Sequence, residues 1–204
     1  MKNLFKWTLL LAIIGCFAGP GYADEIAGTT EVTLYYQQYR DFSFNTGWSD
    51  WDFTPIRLSG GGFSAAQNIA EWFALWSELT IYGTADQQAP SGNEKKVRVI
   101  NNLQGIRYQT KQYGPLRLYA KFGMGIVHYG FNLYFPNTGY VGMGGLKFSA
   151  SYGGGANVWF HQNIGLTFEA SHILKALPNL TEIDDGREKF DSGMAYRAGL
   201  TFRF

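Results

Sequence analysis

The chain has 204 residues, with 17 Lys or Arg against 16 Asp or Glu and a formal charge of +1. So near-neutral a balance excludes the basic face that nucleic-acid recognition needs. The 16 Phe, 13 Tyr and 6 Trp, with only 16% charged residues, exclude intrinsic disorder. Beyond residue 17 no apolar run approaches the roughly 18 residues of a membrane-spanning helix.

Residues 1–23 have the layout of a secretory leader. Lys2 and Lys6 form its positive start, Trp7 to Phe17 its apolar stretch, and Gly21-Tyr22-Ala23 a small-x-small cleavage site before Asp24. Cleavage there leaves a mature domain, 24–204, without cysteine and therefore without a disulfide framework. Ile13-Ile14-Gly15-Cys16 also fits a lipobox, which would make Cys16 a lipidated N-terminus. The short apolar run before Cys16, with Lys6 close to it, favours cleavage after Ala23.

The mature chain alternates apolar and polar residues with period two, the signature of strands. Eight strands are expected. The first covers 31–39, with Val32, Leu34 and Tyr36 on one face. The second, 54–66, is weak and contains Gly60-Gly61-Gly62. The third, 73–83, sets Phe73, Leu75, Leu79 and Ile81 against Trp76, Glu78, Thr80 and Tyr82. The fourth, 96–110, changes phase between Val99 and Ile106, which suggests a bulge near Asn101-Asn102. The fifth, 116–131, opposes Leu118, Ala120, Phe122, Met124 and Ile126 to Arg117, Tyr119, Lys121, Gly123 and Gly125. The sixth, 147–161, opposes Phe148, Ala150, Tyr152 and Val158 to Lys147, Ser149, Ser151, Gly153, Gly155 and Asn157. The seventh, 164–175, opposes Ile164, Leu166, Phe168 and Ala170 to Gly165, Thr167, Glu169 and Ser171. The eighth ends the chain, with Met194, Tyr196, Ala198, Leu200, Phe202 and Phe204 against Ala195, Arg197, Gly199, Thr201 and Arg203.

Long polar loops are expected near 40–53, 84–95, 135–143 and 176–192. Short turns are expected near Asn68–Glu71, Tyr113-Gly114-Pro115 and His161-Gln162-Asn163. Short turns at one end and long loops at the other are what a transmembrane barrel of tilted strands of about ten residues requires. The fold class expected is therefore all-β, an eight-stranded antiparallel transmembrane barrel. Alternation alone does not say which face is inside. The interior of eight strands is just wide enough for side chains to fill, which suits the small and charged set. The large aromatic set suits lipid and its boundary. A leader together with apolar residues outside points to an outer membrane.

The final segment, Met194 to Phe204, resembles the last strand of the small bacterial outer-membrane proteins of the OmpA/OmpX-like barrel superfamily, which characteristically stop at Phe. The run from Gly153 to Ala170 is similar to the penultimate hairpin of that family. The resemblance implies recognition by the barrel-assembly machinery through Leu200, Phe202 and Phe204. The chain is expected to be a monomer with periplasmic termini, in contact with outer-membrane lipid and lipopolysaccharide, and to need no cofactor. No cell-wall-binding domain is expected after the last strand.

Charged residues on the inward set form the main constellation. Glu31, Glu78 and Glu169 share the expected lumen with Arg57, Arg117, Lys121, Lys147, Arg197 and Arg203. They fit a structural ion-pair network that fills a narrow bore, because a buried carboxylate needs a cationic partner. A narrow solute pore favouring anions is the alternative. A lipid A-modifying enzyme is a weaker one. Glu169, Ser171 and His172 are adjacent in sequence, but period two sends Ser171 and His172 to opposite faces, and no G-x-S-x-G occurs. No catalytic, cofactor or metal residue is assigned. Asp184-Asp185 and its acidic neighbours read as a solvated loop. The aromatic stretch from Phe44 to Phe53 fits an outer aromatic girdle better than a ligand site. The glycine tracts fit strand bends or room for bulky neighbours.

Overall fold

In the computed structural model, residues 27–44, 53–83, 85–88, 94–135, 139–176 and 190–204 are described. They form nine strands: β1 (Thr30–Phe44), β2 (Phe53–Ala70), β3 (Phe73–Tyr82), β4 (Ala85–Gln88), β5 (Glu94–Gln109), β6 (Leu116–Phe135), β7 (Gly139–His161), β8 (Ile164–Ala176) and β9 (Phe190–Arg203). Every pairing is antiparallel, in the order β3-β2-β1-β9-β8-β7-β6-β5, and β3 pairs with β5 to close the cylinder. The short β4 pairs only with the far end of β5, where it prolongs the line of β3 beyond Tyr82. The barrel therefore has eight staves, as the alternation predicts. The chain ends meet across β1 and β9, where Thr30 and Phe204 exchange backbone hydrogen bonds of 3.0 and 2.9 Å.

Short turns gather at one end. Glu71-Trp72 joins β2 to β3, Gln162-Asn163 joins β7 to β8, and Tyr113 to Leu116 closes the β5–β6 connection. Gly114 holds φ at +57° in that last turn, a conformation that a Cβ would strain.

Two expectations about the other end need correction. The stretch 135–143 is not a long loop. β6 and β7 pair as far as Phe135 and Gly139, leaving only 136–138 between them. Nor is there a bulge at Asn101-Asn102, since β5 pairs in unbroken register with β3 and β6. Val97, Val99, Asn101, Leu103, Arg107 and Gln109 all point inward. The apparent phase change in the sequence is a change of lumen chemistry, from aliphatic at one end to charged at the other. The breaks in register lie elsewhere: in β1 between Tyr39 and Phe44, and at the turn end between Asn68 and Ala70 and between Trp159 and His161.

Burial is inverted relative to a water-soluble barrel. Arg117, Glu31, Glu78 and Lys175 are buried, while Leu118, Phe122, Met124 and Ile126, on the same stave as Arg117, are about half exposed. From Leu116 to Ile126 the strand rises about 33 Å, which a tilt near 40° reduces to about 25 Å, the height of a barrel's apolar band. Around the turn end sit Trp72, Tyr108, Tyr113 and Phe160, all strongly exposed, with Trp72 stacked on Tyr108 at 6.0 Å. The expected outer girdle at 44–53 lies almost wholly outside the described residues, so the aromatic ring that the structure shows is at the opposite rim. Residues 1–26, including Cys16 and the leader, and the loop 177–189, with all of the acidic cluster except Asp191, likewise fall outside the description.

Candidate functional site: the charged lumen

The lumen is filled in three tiers. Nearest the turn end, Glu31 of β1 receives Arg107 Nη2 at 2.8 Å, Arg203 Nε at 3.3 Å and the Nη2 of Arg117. Asn68 Nδ2 donates to the same carboxylate at 3.3 Å, and Gln109 Nε2 donates to Asn68 Oδ1 at 2.9 Å. The ring of Trp159 lies against both Arg203 and Arg117, at 3.8 and 5.6 Å from its centroid.

The middle tier is a quartet. Lys121 Nζ donates to Glu78 at 2.7 Å and lies 2.8 Å from Glu169, while Arg197 Nη1 reaches Glu78 at 2.9 Å and Glu169 at 3.5 Å. All four side chains are at most 4% exposed. Two positive and two negative charges balance, as burial demands. Tyr119 Oη donates to Glu169 at 3.0 Å, Arg197 Nη2 donates to Gln37 at 2.8 Å, and Gln37 Nε2 donates to Tyr82 Oη at 2.5 Å. Between these two tiers the hydroxyls of Thr33, Thr201 and Thr167 form a chain that ends on Asn157 Oδ1.

The tier toward the loop end is apolar. Tyr39, Leu58, Tyr82, Val97, Val99, Val127, Tyr129, Ile173 and Ala195 form one buried cluster. Lys175 crosses it with Nζ 3.4 Å from the centre of the Tyr39 ring.

Aromatic side chains fit inside so narrow a bore because glycines face them. A Cβ on Gly62 would meet the Tyr35 hydroxyl at 2.7 Å, and one on Gly155 would meet that of Tyr119 at 2.6 Å. The glycine tracts thus make room for bulky neighbours across the sheet, one of the two purposes expected of them.

Of the network expected from the sequence, Glu78, Glu169, Lys121 and Arg197 come together in the quartet, and Arg117 and Arg203 meet on Glu31. Lys147 lies on the inward phase but half-exposed near the loop end, with no salt bridge among the described residues. Arg57 is not in the lumen. Its neighbour Leu58 takes the buried position and Arg57 projects from the outer wall. Arg107 is the member that sequence reasoning misses, because the supposed bulge put its strand out of phase. Continuous period two from Val97 to Gln109 would have found it. Lys175, three residues past the outward-facing His172 and so on the inward phase, is the second omission.

Ser171 and Glu169 are buried in the lumen, whereas His172 packs on the outer wall against Tyr152, with ring centres 5.3 Å apart. His172 Nδ1 has no hydrogen-bond partner among the described residues. The three side chains that tempt a hydrolase reading therefore form no nucleophile–base pair. Among the described residues no group of three His, Cys, Asp or Glu could hold a metal ion.

No protein-family model matches the sequence, and no curated protein matches it significantly. Solved structures do resemble it. Ail, the attachment invasion locus protein of Yersinia pestis, aligns over 88% of this chain and 100% of its own at 14% identity with a TM-score of 0.57. Neisserial surface protein A aligns over 87% of this chain and 98% of its own at 11% identity with a TM-score of 0.59. The N-terminal β-barrel domain of Pseudomonas aeruginosa OprF covers the same shares, 87% and 98%, at 14% identity with a TM-score of 0.51. The chain has the fold of the small eight-stranded outer-membrane β-barrels.

Proposed function

We propose that this protein is a monomeric integral barrel of the outer membrane with a structural or surface-interaction role, its lumen closed by its own side chains. On this reading the leader 1–23 directs export, residues 24–204 form the barrel, and both termini face the periplasm. The aromatic pattern at Leu200, Phe202 and Phe204 serves recognition by the assembly machinery. The observation that carries the reading is the middle quartet: four charged side chains from four staves, mutually paired and buried, at the height where a solute path would have to run. Such an arrangement suits a plug, since an open aqueous bore would leave these groups hydrated.

The outer wall supports contact with the lipid of the outer leaflet. Arg40, Arg57 and Arg98 project from the wall near the loop end, and Arg40 lies 5.2 Å over the Tyr196 ring. Beside them Tyr36, Ser59, Gly61, Ile81 and Arg98 line a shallow recess. Cations at that height suit the phosphates of lipopolysaccharide.

The second reading, a narrow anion-favouring pore, draws on the excess of arginine around Glu31. Planar-bilayer recording separates the two. The purified barrel should give no stable unitary current. Stable steps whose anion preference disappears in Arg117→Ala would establish the pore instead.

A further inference from the structure

We propose that the arginine cluster at the turn end of the lumen binds one small inorganic anion of halide size. Arg107, Arg117 and Arg203 meet the single carboxylate of Glu31, and all four side chains are at least nine-tenths buried. Two positive charges are therefore in excess in a place with little access to water.

A second observation points to a ligand. Arg117 Nε and Nη1, Arg107 Nε, Asn157 Nδ2 and Trp159 Nε1 are buried and find no acceptor among the described residues. Against these five nitrogens stand two oxygens without a hydrogen bond nearby, Gln109 Oε1 and Glu169 Oε1, the second ion-paired to Lys121 at 2.8 Å, so the local imbalance is one of donors. The fold brings them together. Arg117 and Asn157 are cross-strand partners, and the Trp159 ring is 5.6 Å from the Arg117 guanidinium. The Thr167 hydroxyl donates to Asn157 Oδ1 at 2.8 Å, which fixes that amide with its NH2 unused. Buried donors without acceptors are costly, and an anion satisfies several of them at once while offsetting the excess charge.

The space available sets the ligand class. A cavity of about 20 Å³ adjoins the cluster where Arg107 and Asn157, both with an unpartnered nitrogen, face Thr167 and Tyr119 and, across it, the quartet of Glu78, Lys121, Glu169 and Arg197. That is room for a single water-sized particle, which admits a monatomic anion and excludes phosphate. Glu78 and Glu169 on its other wall are each paired with Lys121 and Arg197, so that side is electrically neutral. The inference is independent of whether the barrel conducts, because it concerns an ion held in place.

The test compares the folded barrel in detergent in chloride, bromide and gluconate at equal ionic strength. Both halides should raise the unfolding midpoint saturably, by about 3–6 °C at ten times the dissociation constant. Crystals grown in bromide should show an anomalous peak within about 3.5 Å of the Arg107 guanidinium or the Asn157 amide. Asn157→Asp supplies a carboxylate in place of the ion and should abolish the halide shift. If that variant does not fold, Arg203→Gln removes one excess charge and should weaken the halide response at least tenfold. Equal midpoints in halide and gluconate, no bromide peak, or an unchanged halide shift in these variants would each overturn the proposal.

Discussion

Replacing Glu78 by Gln removes one charge from the middle of the lumen and changes almost nothing in shape. In the native barrel this carboxylate receives Lys121 Nζ at 2.7 Å and Arg197 Nη1 at 2.9 Å, and the three side chains are 1%, 4% and 3% exposed. Neither cation can therefore turn to water. After the substitution Glu169 alone faces both, 2.8 Å from Lys121 and 3.5 Å from Arg197. Removing one partner of a buried ion pair costs about 3–5 kcal/mol. The remaining amide oxygen still accepts one N–H, so the lower part of that range applies. At roughly 2–4 °C per kcal/mol for a chain of this length, the midpoint should fall by about 6–16 °C. The assay is the folded fraction on unboiled detergent gels after heating in steps. The double variant Glu78→Gln/Lys121→Met leaves Arg197 facing Glu169, one charge against one, and should recover at least half of the loss. If Glu78→Gln melts within about 1 °C of the native barrel, or the double variant loses the sum of its two singles, the balance argument is wrong.

Gly155→Ala places a Cβ 2.6 Å from the Tyr119 hydroxyl and displaces its bond to Glu169, so overpacking of about 1–3 kcal/mol should appear in the same melting assay. Met124→Arg on the lipid-facing wall should cost about 2–4 kcal/mol in bilayer refolding titrations if that position lies near the membrane midplane. Arg57→Ala and Arg98→Ala should leave stability in phosphatidylcholine within about 0.5 kcal/mol and reduce the extra stability that lipopolysaccharide confers; equal loss in both lipids would remove the phosphate argument. Deleting Phe204 should lower the assembled fraction in cells while refolding into detergent proceeds unchanged, and failure in detergent as well would make the residue a closure element only.

The staves were legible because a lipid-facing wall and a side-chain-filled bore impose opposite chemistry on alternate positions. Leu118, Phe122 and Met124 against Arg117, Tyr119 and Lys121 are readable by eye, and the structure exposes the first set and buries the second. Legibility failed where the bore stops being polar. Val97 and Val99 look like wall residues but face inward in the apolar tier at the loop end, and Leu103 does the same lower down, packed with Ala66, Ala74 and Trp76. That one misreading hid Arg107 and with it the true partner set of Glu31. Arg57 failed for a related reason, since β1 and β2 lose register near it and their phase cannot be carried across the bulge. Pairings such as Lys121 with Glu78, 43 residues apart, depend on barrel stagger and are invisible to local pattern.

The two upper tiers close the bore by different physics, and this sets a sharper test of the plug than silence in a bilayer. The quartet blocks by charge pairing, whereas the cluster of Tyr39, Leu58, Tyr82, Val97 and Val127 above it, packed around the Lys175 stem, blocks by filling the bore with side chains too tightly for a hydrated ion. Glu78→Ala/Lys121→Ala deletes a balanced pair and widens the middle tier without leaving an unpaired charge. In a gate built on that pair alone, such a variant would conduct. Here the apolar tier is intact, so stable unitary currents should still be absent. Currents should appear only when Tyr39→Ala and Tyr82→Ala are added, since these rings are 6.3 Å apart and fully buried across the loop end of the bore. Steady conductance from the charge-balanced double variant by itself would show that the apolar tier is permeable and that the quartet is a gate.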